Sequence, residues 1–158
     1  MPRLRTKLAF LTTVGVPEAR LPQVIANAPS IIALTPTRIQ ESLDVMDEML
    51  GDGAGARILL SNPIMIMSNV GNLRRSFDYL VSTVGFRPER LARHFKLLAR
   101  SVDGILKPRH EFLKAKGVDA LDKVDWVYTA GRLFIERYPD YQEYLAQYKA
   151  NQTRTGSS

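Results

Sequence analysis

The sequence predicts an all-α protein, a short right-handed-type α-solenoid whose repeats each contain two helices and a short 3₁₀ turn. Glycines that close apolar helices recur at spacings of 36, 34 and 32 residues: Gly15, Gly51, Gly85 and Gly117. A large apolar residue stands five positions before each glycine: Phe10, Met46, Leu80 and Phe112. Pro29 and Pro63 are 34 residues apart, and each is followed by an apolar run. A fixed period of this size is typical of a helical repeat array, and no sustained period-2 alternation indicates strands.

Each unit is predicted to begin with a long helix. In the second to fourth units these helices are expected over 35–50, 68–84 and 102–116. Their N-caps are expected to be Thr35, Asn69 and Asp103, whose side chains can accept a hydrogen bond from the first helical turn. The glycine that follows supplies the positive φ that ends a helix without Cβ strain.

A second helix is predicted to start directly after each glycine. The start signals are Val16-Pro17-Glu18, Asp52-Gly53-Ala54, Phe86-Arg87-Pro88-Glu89 and Val118-Asp119-Ala120. In the first two units Pro29 and Pro63 end this helix, because proline lacks the amide hydrogen and clashes with the preceding turn. The apolar residues after the proline are predicted to form a 3₁₀ turn. The third unit carries Lys96 where a proline is expected, so Leu91 to Arg100 can continue as one helix.

The chain of 158 residues divides into three predicted parts. Residues 1–138 form the repeat array of about four units, the last incomplete; residues 139–150 form a capping helix; and residues 151–158 form a disordered tail. Arg3, Arg5 and Lys7, with no acid before Glu18, have the charge balance of a transit peptide. Because this segment also carries repeat-type apolar positions, we interpret it as the first helix. Any targeting segment is expected to have been removed or to lie outside this chain.

The composition offers little material for catalysis. There is no cysteine, and the two histidines, His94 and His110, are interpreted as surface or packing residues. Phosphate-binding, nucleophile-elbow and zinc-protease motifs are absent from the sequence. We therefore expect no catalytic residues, no metal and no cofactor. The longest apolar stretch, 58–67, is too short to cross a bilayer, so no membrane partner is expected.

The charge distribution is the strongest functional signal. Residues 74–116 contain eleven basic and four acidic residues, in a protein of net charge +6. One alternative is a solvated face that keeps the protein soluble, but an excess of this size favours contact with a phosphate backbone. Arg93 and Arg100, seven positions apart, are expected on one helix face. The predicted nucleic-acid-binding residues are Arg74, Arg75, Arg87, Arg90, Arg93, Lys96, Arg100, Lys107, Arg109 and Lys114.

Tyrosines recur on one face of the last helix. Tyr138, Tyr141, Tyr144 and Tyr148 are spaced by 3, 3 and 4 residues. Packing onto the last repeat as a cap is the favoured interpretation. Base stacking or a protein partner is the alternative, and it would make Tyr141, Tyr144 and Tyr148 partner-binding residues.

The ordered set of motifs resembles the mitochondrial transcription termination factor (mTERF) family. Residues 106–118, LKPRHEFLKAKGV, are similar to the segment LKPR-x-x-FL-x₃-G-V/L of that family. Residues 2–16 are a looser copy. The turns beginning at Pro29 and Pro63 resemble the family's P-x-L/I-L turn, and residues 134–138 resemble its closing segment.

The resemblance implies an organellar α-solenoid with a basic nucleic-acid-binding face. Family members act in transcription termination, transcript maturation or ribosome assembly. We therefore predict a non-catalytic organellar protein that binds nucleic acid, within a large complex such as an organellar ribosome. The small number of repeats favours RNA over duplex DNA, and a mitochondrion is favoured over a chloroplast. The alternatives are a structural protein–protein adaptor and a transcription factor that binds duplex DNA.

Overall fold

A computed structural model describes residues 2–156 of the chain, and within them every regular element is helical. This confirms the all-α prediction. Short 3₁₀ helices lie at Glu18–Arg20, Pro29–Ala33, Pro63–Met67 and Phe95–Ala99, and π-helical turns at Tyr79–Val84 and Val102–Leu106. The α-helices are α1 (Pro2–Thr13), α2 (Leu21–Asn27), α3 (Pro36–Leu50), α4 (Ala54–Ser61), α5 (Val70–Asp78), α6 (Pro88–Arg93), α7 (Lys107–Ala115), α8 (Asp125–Tyr128), α9 (Gly131–Arg137) and α10 (Tyr141–Gly156).

The first three units share one plan: a long first helix, a glycine, a short second helix and a 3₁₀ turn. Their first helices are α1, α3, and α5 with its π-helical continuation; their second helices are α2, α4 and α6. Neighbouring units pack through equivalent elements, α3 against α5 and the turn at 29–33 against the turn at 63–67. All four repeat glycines have positive φ, from 74° to 117°. The period read from the sequence is thus the period of the packing.

The third unit keeps its turn without a proline. The expectation of one helix from Leu91 to Arg100 is wrong, because α6 ends at Arg93 and a 3₁₀ turn begins at Phe95. His94 between them has φ −127° and ψ 49°, close to the backbone of Ala28 and Asn62 at the same point of the first two units. Leu97 and Leu98 of this turn are fully buried. Burial of apolar side chains therefore sets the break that proline sets elsewhere.

The N-caps follow the prediction in two units of three. The side chains of Thr35 and Asn69 each accept a 3.1 Å hydrogen bond from a backbone amide three residues on. In the fourth unit the cap is Ser101, whose hydroxyl accepts from the Gly104 amide at 3.0 Å. Asp103 was predicted there, but it lies inside the first turn, where its carboxylate pairs with Arg75.

The buried polar side chains sit at equivalent junctions. Ser42, Ser76 and Arg109 are the buried polar or charged residues of the described chain. Each lies on the first helix of its unit and donates to backbone carbonyls of the turn that ends that unit. Ser42 bonds the Ile66 carbonyl at 3.1 Å and Ser76 the Arg100 carbonyl at 2.9 Å. An unpaired buried carbonyl is costly, so these bonds fix each turn to its helix.

The fourth unit and the cap differ from the prediction. Residues 118–124 form turns, so the second helix predicted from Val118 is absent. The buried turn is supplied by α8, in which Trp126 and Val127 lie in the core. The final helix α10 begins at Tyr141 and runs to Gly156, so residues 151–156 continue the helix instead of forming the predicted disordered tail. Ser157 and Ser158 lie outside the described residues. Within 2–156, no helix is both long and apolar enough to cross a membrane.

Candidate nucleic-acid interface

Some of the basic residues predicted to bind nucleic acid make contacts within the fold, whereas others are exposed to solvent. Arg74 forms an ion pair with Glu48 at 2.5 Å, and Arg75 pairs with Asp103 at 3.0 Å. Both arginines lie on α5, and the guanidinium of each reaches the first helix of a neighbouring unit. The Arg74 guanidinium lowers the pKa of the Glu48 carboxyl through a hydrogen bond and its charge. Both arginines are exposed, but each has a carboxylate partner that reduces its attraction for phosphate.

Arg109 does not belong to the surface. Only 3% of it is exposed, and its guanidinium donates to the carbonyls of Trp126 at 2.7 Å and Thr129 at 2.8 Å. It also lies over the Phe134 ring, 4.5 Å from the ring centroid. The prediction that Arg109 contacts nucleic acid is therefore wrong. Its reach from α7 to α8 makes it the fourth-unit counterpart of Ser42 and Ser76.

Arg93 and Arg100 do not share a helix face, because the chain changes direction at His94 between them. Arg100 is exposed in the extended connection to the fourth unit, and its guanidinium donates to the Tyr128 carbonyl at 3.0 Å. Lys96 is exposed on the 3₁₀ turn that starts at Phe95. The cations of this region therefore follow α6 and the turn after it.

Three arginines line one groove beside α6. We call this the arginine groove; its lining residues are Gly85, Phe86, Arg87, Glu89, Arg90, Arg93 and Leu121. Its volume is about 400 Å³. Three of the lining residues are arginines, and one, Glu89, is acidic. The turns at 118–122 bound the groove, in the place where a regular unit would have its second helix.

The three arginines of this groove have different roles. Arg90 lies over the buried Phe86 ring at 5.1 Å and donates to the backbone carbonyls of Leu121 and Asp122. It therefore holds the turn against α6. Arg87 and Arg93 are exposed, and in the described part of the chain neither side chain makes an ion pair or a hydrogen bond. These two guanidinium groups keep their full set of donors, the pattern that suits phosphate oxygens.

A second groove of about 580 Å³ lies between the first helices of the third and fourth units. Lys107 and Lys114 line it, and so does Arg75. Three carboxylates, of Asp78, Asp103 and Glu111, line the same groove. Since the charges balance, this groove offers a polyanion no net attraction. We therefore place Lys107 and Lys114 at the margin of the candidate interface.

His110 joins the two repeats at the floor of the second groove. Its Nδ1 lies 3.0 Å from the Tyr79 hydroxyl, and its ring stacks on Trp126 with 6.2 Å between centroids. Burial lowers the pKa of His110, and the charge of Lys114 lowers it further. Burial likewise raises the pKa of the Tyr79 hydroxyl. Both groups are packing residues in a polar contact.

The tyrosines of α10 pack inward. Tyr141 is 4% exposed, with its ring 5.0 Å from Phe112 and 4.7 Å from Phe134. Tyr144 lies 5.2 Å from Phe112 and stacks on Tyr148. Tyr141 is thus closed to a partner, whereas Tyr144 and Tyr148 are half-buried.

Sequence reasoning missed several residues of this region. Ser42 and Ser76 are 34 residues apart, each seven positions after its N-cap, so the repeat period could have identified them. Phe86 and Leu121 gave no such signal, because their roles depend on the turn that replaces a helix.

No group of three or more histidine, aspartate or glutamate side chains placed to hold a metal ion occurs within residues 2–156.

Comparison with known families supplies the class of protein. The mTERF family model matches residues 1–130 of the chain. The chain belongs to this family, which confirms the resemblance seen in its motifs. Members of this family are organellar, nucleic-acid-binding helical-repeat proteins of a non-catalytic kind. No curated protein matches the chain significantly.

Proposed function

We propose that this protein is a non-catalytic RNA-binding adaptor of the mitochondrion, which contacts a phosphate backbone through the second-helix edge of its third unit. The observation that carries the proposal is the arginine groove, whose lining includes three arginines and one acidic residue. Arg87 and Arg93 there have no partner within the described chain, and Lys96 extends the positive surface along the next turn. Release of counterions from phosphates would drive binding at such a surface.

RNA is proposed as the ligand because the basic edge is short. The partner-free cations beside α6 occupy one repeat, which suits a short segment of RNA better than a long duplex footprint. The same argument favours a place inside a larger assembly, such as an organellar ribosome, where other proteins contribute further contacts. No step of this function requires a cofactor or a catalytic residue.

Sedimentation of the protein from lysed mitochondria tests this proposal. We expect it to travel with a large particle and to be released by ribonuclease but not by deoxyribonuclease. Release by deoxyribonuclease alone would indicate a duplex-DNA-binding transcription factor. Retention after both treatments would indicate the protein–protein adaptor, and either result would overturn the proposal.

A further inference from the structure

The arginine groove has an apolar component that a phosphate site does not need. Leu121 lines it beside the arginines and is 37% exposed, although it is a large apolar side chain. It is held there by its own backbone, whose carbonyl accepts a hydrogen bond from Arg90. A partly exposed leucine beside three arginines suits a ligand with both an anionic and an apolar part.

Arg90 is held between the turn and Phe86. Two of its N–H donors bond the carbonyls of Leu121 and Asp122, and its guanidinium carbon lies over the Phe86 ring, 5.1 Å from the ring centroid. These contacts restrict the movement of the planar group. Arginine planes in this state stack on aromatic rings, including nucleobases.

From this arrangement we infer that the arginine groove binds one unpaired nucleotide of an RNA strand. The phosphate lies between Arg87 and Arg93, and the base lies on Leu121 and the guanidinium plane of Arg90. The groove volume of about 400 Å³ is within the range of roughly 300–1,000 Å³ for small-ligand sites. A duplex can offer this groove only its phosphates, because its bases are paired and stacked. The inference rests on the proposed function and adds that the strand is single.

The missing helix of the fourth unit explains why the groove exists. In the second unit α4 follows the repeat glycine, whereas after Gly117 the chain forms turns at 118–124. The outer side of α6 is therefore bounded by a turn that carries Leu121. The departure from the repeat and the candidate base site coincide.

Binding to matched single-stranded and duplex RNA tests the inference with the full chain. The probe is a fluorescent oligouridylate of about 10 nucleotides, alone or paired with oligoadenylate. We expect L121N to weaken single-strand binding about tenfold, as loss of a buried leucine contact does, and to leave duplex binding unchanged. The matched control is L133N, because Leu133 is 47% exposed on α9 and lies outside the groove. It should change neither affinity.

The outcomes separate this inference from the proposed function. If L121N leaves single-strand affinity unchanged, or lowers both affinities equally, the nucleotide site is wrong while RNA binding by the basic edge stands. If the wild-type protein binds neither probe at low salt, the proposed function itself fails.

A second measurement avoids the folding of a variant altogether. Uridine 5′-monophosphate and inorganic phosphate are titrated separately into the wild-type protein, and nuclear magnetic resonance follows the Leu121 methyl groups and the Arg87 and Arg93 Nε–H groups. We expect phosphate to shift the arginine signals alone and the nucleotide to shift all three residues. Leu121 signals that do not respond to the nucleotide would overturn the inference.

Discussion

The guanidinium of Arg109 donates a 2.7 Å hydrogen bond to the carbonyl oxygen of Trp126, joining the first helix of the fourth unit to the turn that ends it. The same Nη1 nitrogen donates a second bond to the Thr129 carbonyl at 2.8 Å. Arg109 stands in the most basic segment of the chain, yet it is a core residue. Some basic residues of this segment therefore stabilise the fold, whereas others are available to bind a ligand.

Arg109→Lys is expected to lower the free energy of unfolding by about 3 kcal/mol, because an ammonium has no plane to stack on Phe134 and is more strongly hydrated than a guanidinium, so it costs more to bury. Urea unfolding measures the change. Arg93→Lys is the matched control, since its guanidinium is exposed and unpaired within the described chain; it should stay within about 0.5 kcal/mol of wild type. Equal effects of the two substitutions would contradict the burial role of Arg109.

Ser76→Ala tests the repeated junction. The buried hydroxyl bonds the partly buried Arg100 carbonyl at 2.9 Å, so the substitution removes this bond between the helix and the turn. We expect a cost of about 1 kcal/mol. Thermal unfolding should show it, with Ser82→Ala on the exposed side of the same first helix as the control. A melting temperature equal to that of the control variant would disprove the junction.

His110 predicts a pH dependence of stability. Burial lowers the pKa of His110 below its ordinary value of 6.5 in the folded protein, so on acidification the unfolded chain takes up the proton first. The contribution of this group is therefore fully present above pH 6.5 and is lost as pH falls through the folded-state pKa. Urea unfolding gives the free energy of unfolding of wild type and His110→Gln between pH 8 and 5. The difference between the two proteins should shrink as the pH falls. A constant difference would contradict the shift.

Two pairs of arginines separate paired from unpaired charge. Arg87→Gln/Arg93→Gln and Arg74→Gln/Arg75→Gln remove the same net charge from neighbouring helices. We expect the first pair to weaken RNA binding strongly and the second pair slightly, because Arg74 and Arg75 already have carboxylate partners. Fluorescence anisotropy with one RNA measures both. Equal losses would mean that only net charge matters.

The sequence predicted those parts of the fold that depend on local chemistry. The four glycines have the positive φ expected of them, and Thr35 and Asn69 cap their helices, because backbone preferences and capping act over a few residues. The repeat period of the sequence also predicted that equivalent helices of neighbouring units pack against each other.

The remaining features depend on contacts between distant residues. No proline marks the end of the second helix at His94, and this break follows from the burial of Leu97 and Leu98. The burial of Arg109 depends on carbonyls 17 and 20 residues away. Of the predicted binding residues, the structure brings Arg87, Arg90 and Arg93 into one groove, since all three lie on or beside α6. Lys96 lies on the next turn, and the others make contacts within the fold or line a second groove.

The salt dependence of RNA affinity tests the central claim most directly. For single-stranded RNA, log K is expected to fall linearly with log salt concentration, by about 0.7 for each phosphate contact. The variant Arg87→Gln/Arg93→Gln/Lys96→Gln should lower the steepness of that line by about 2. A flat line for wild type, or an unchanged slope in the variant, would contradict phosphate contact by the basic edge of the third unit.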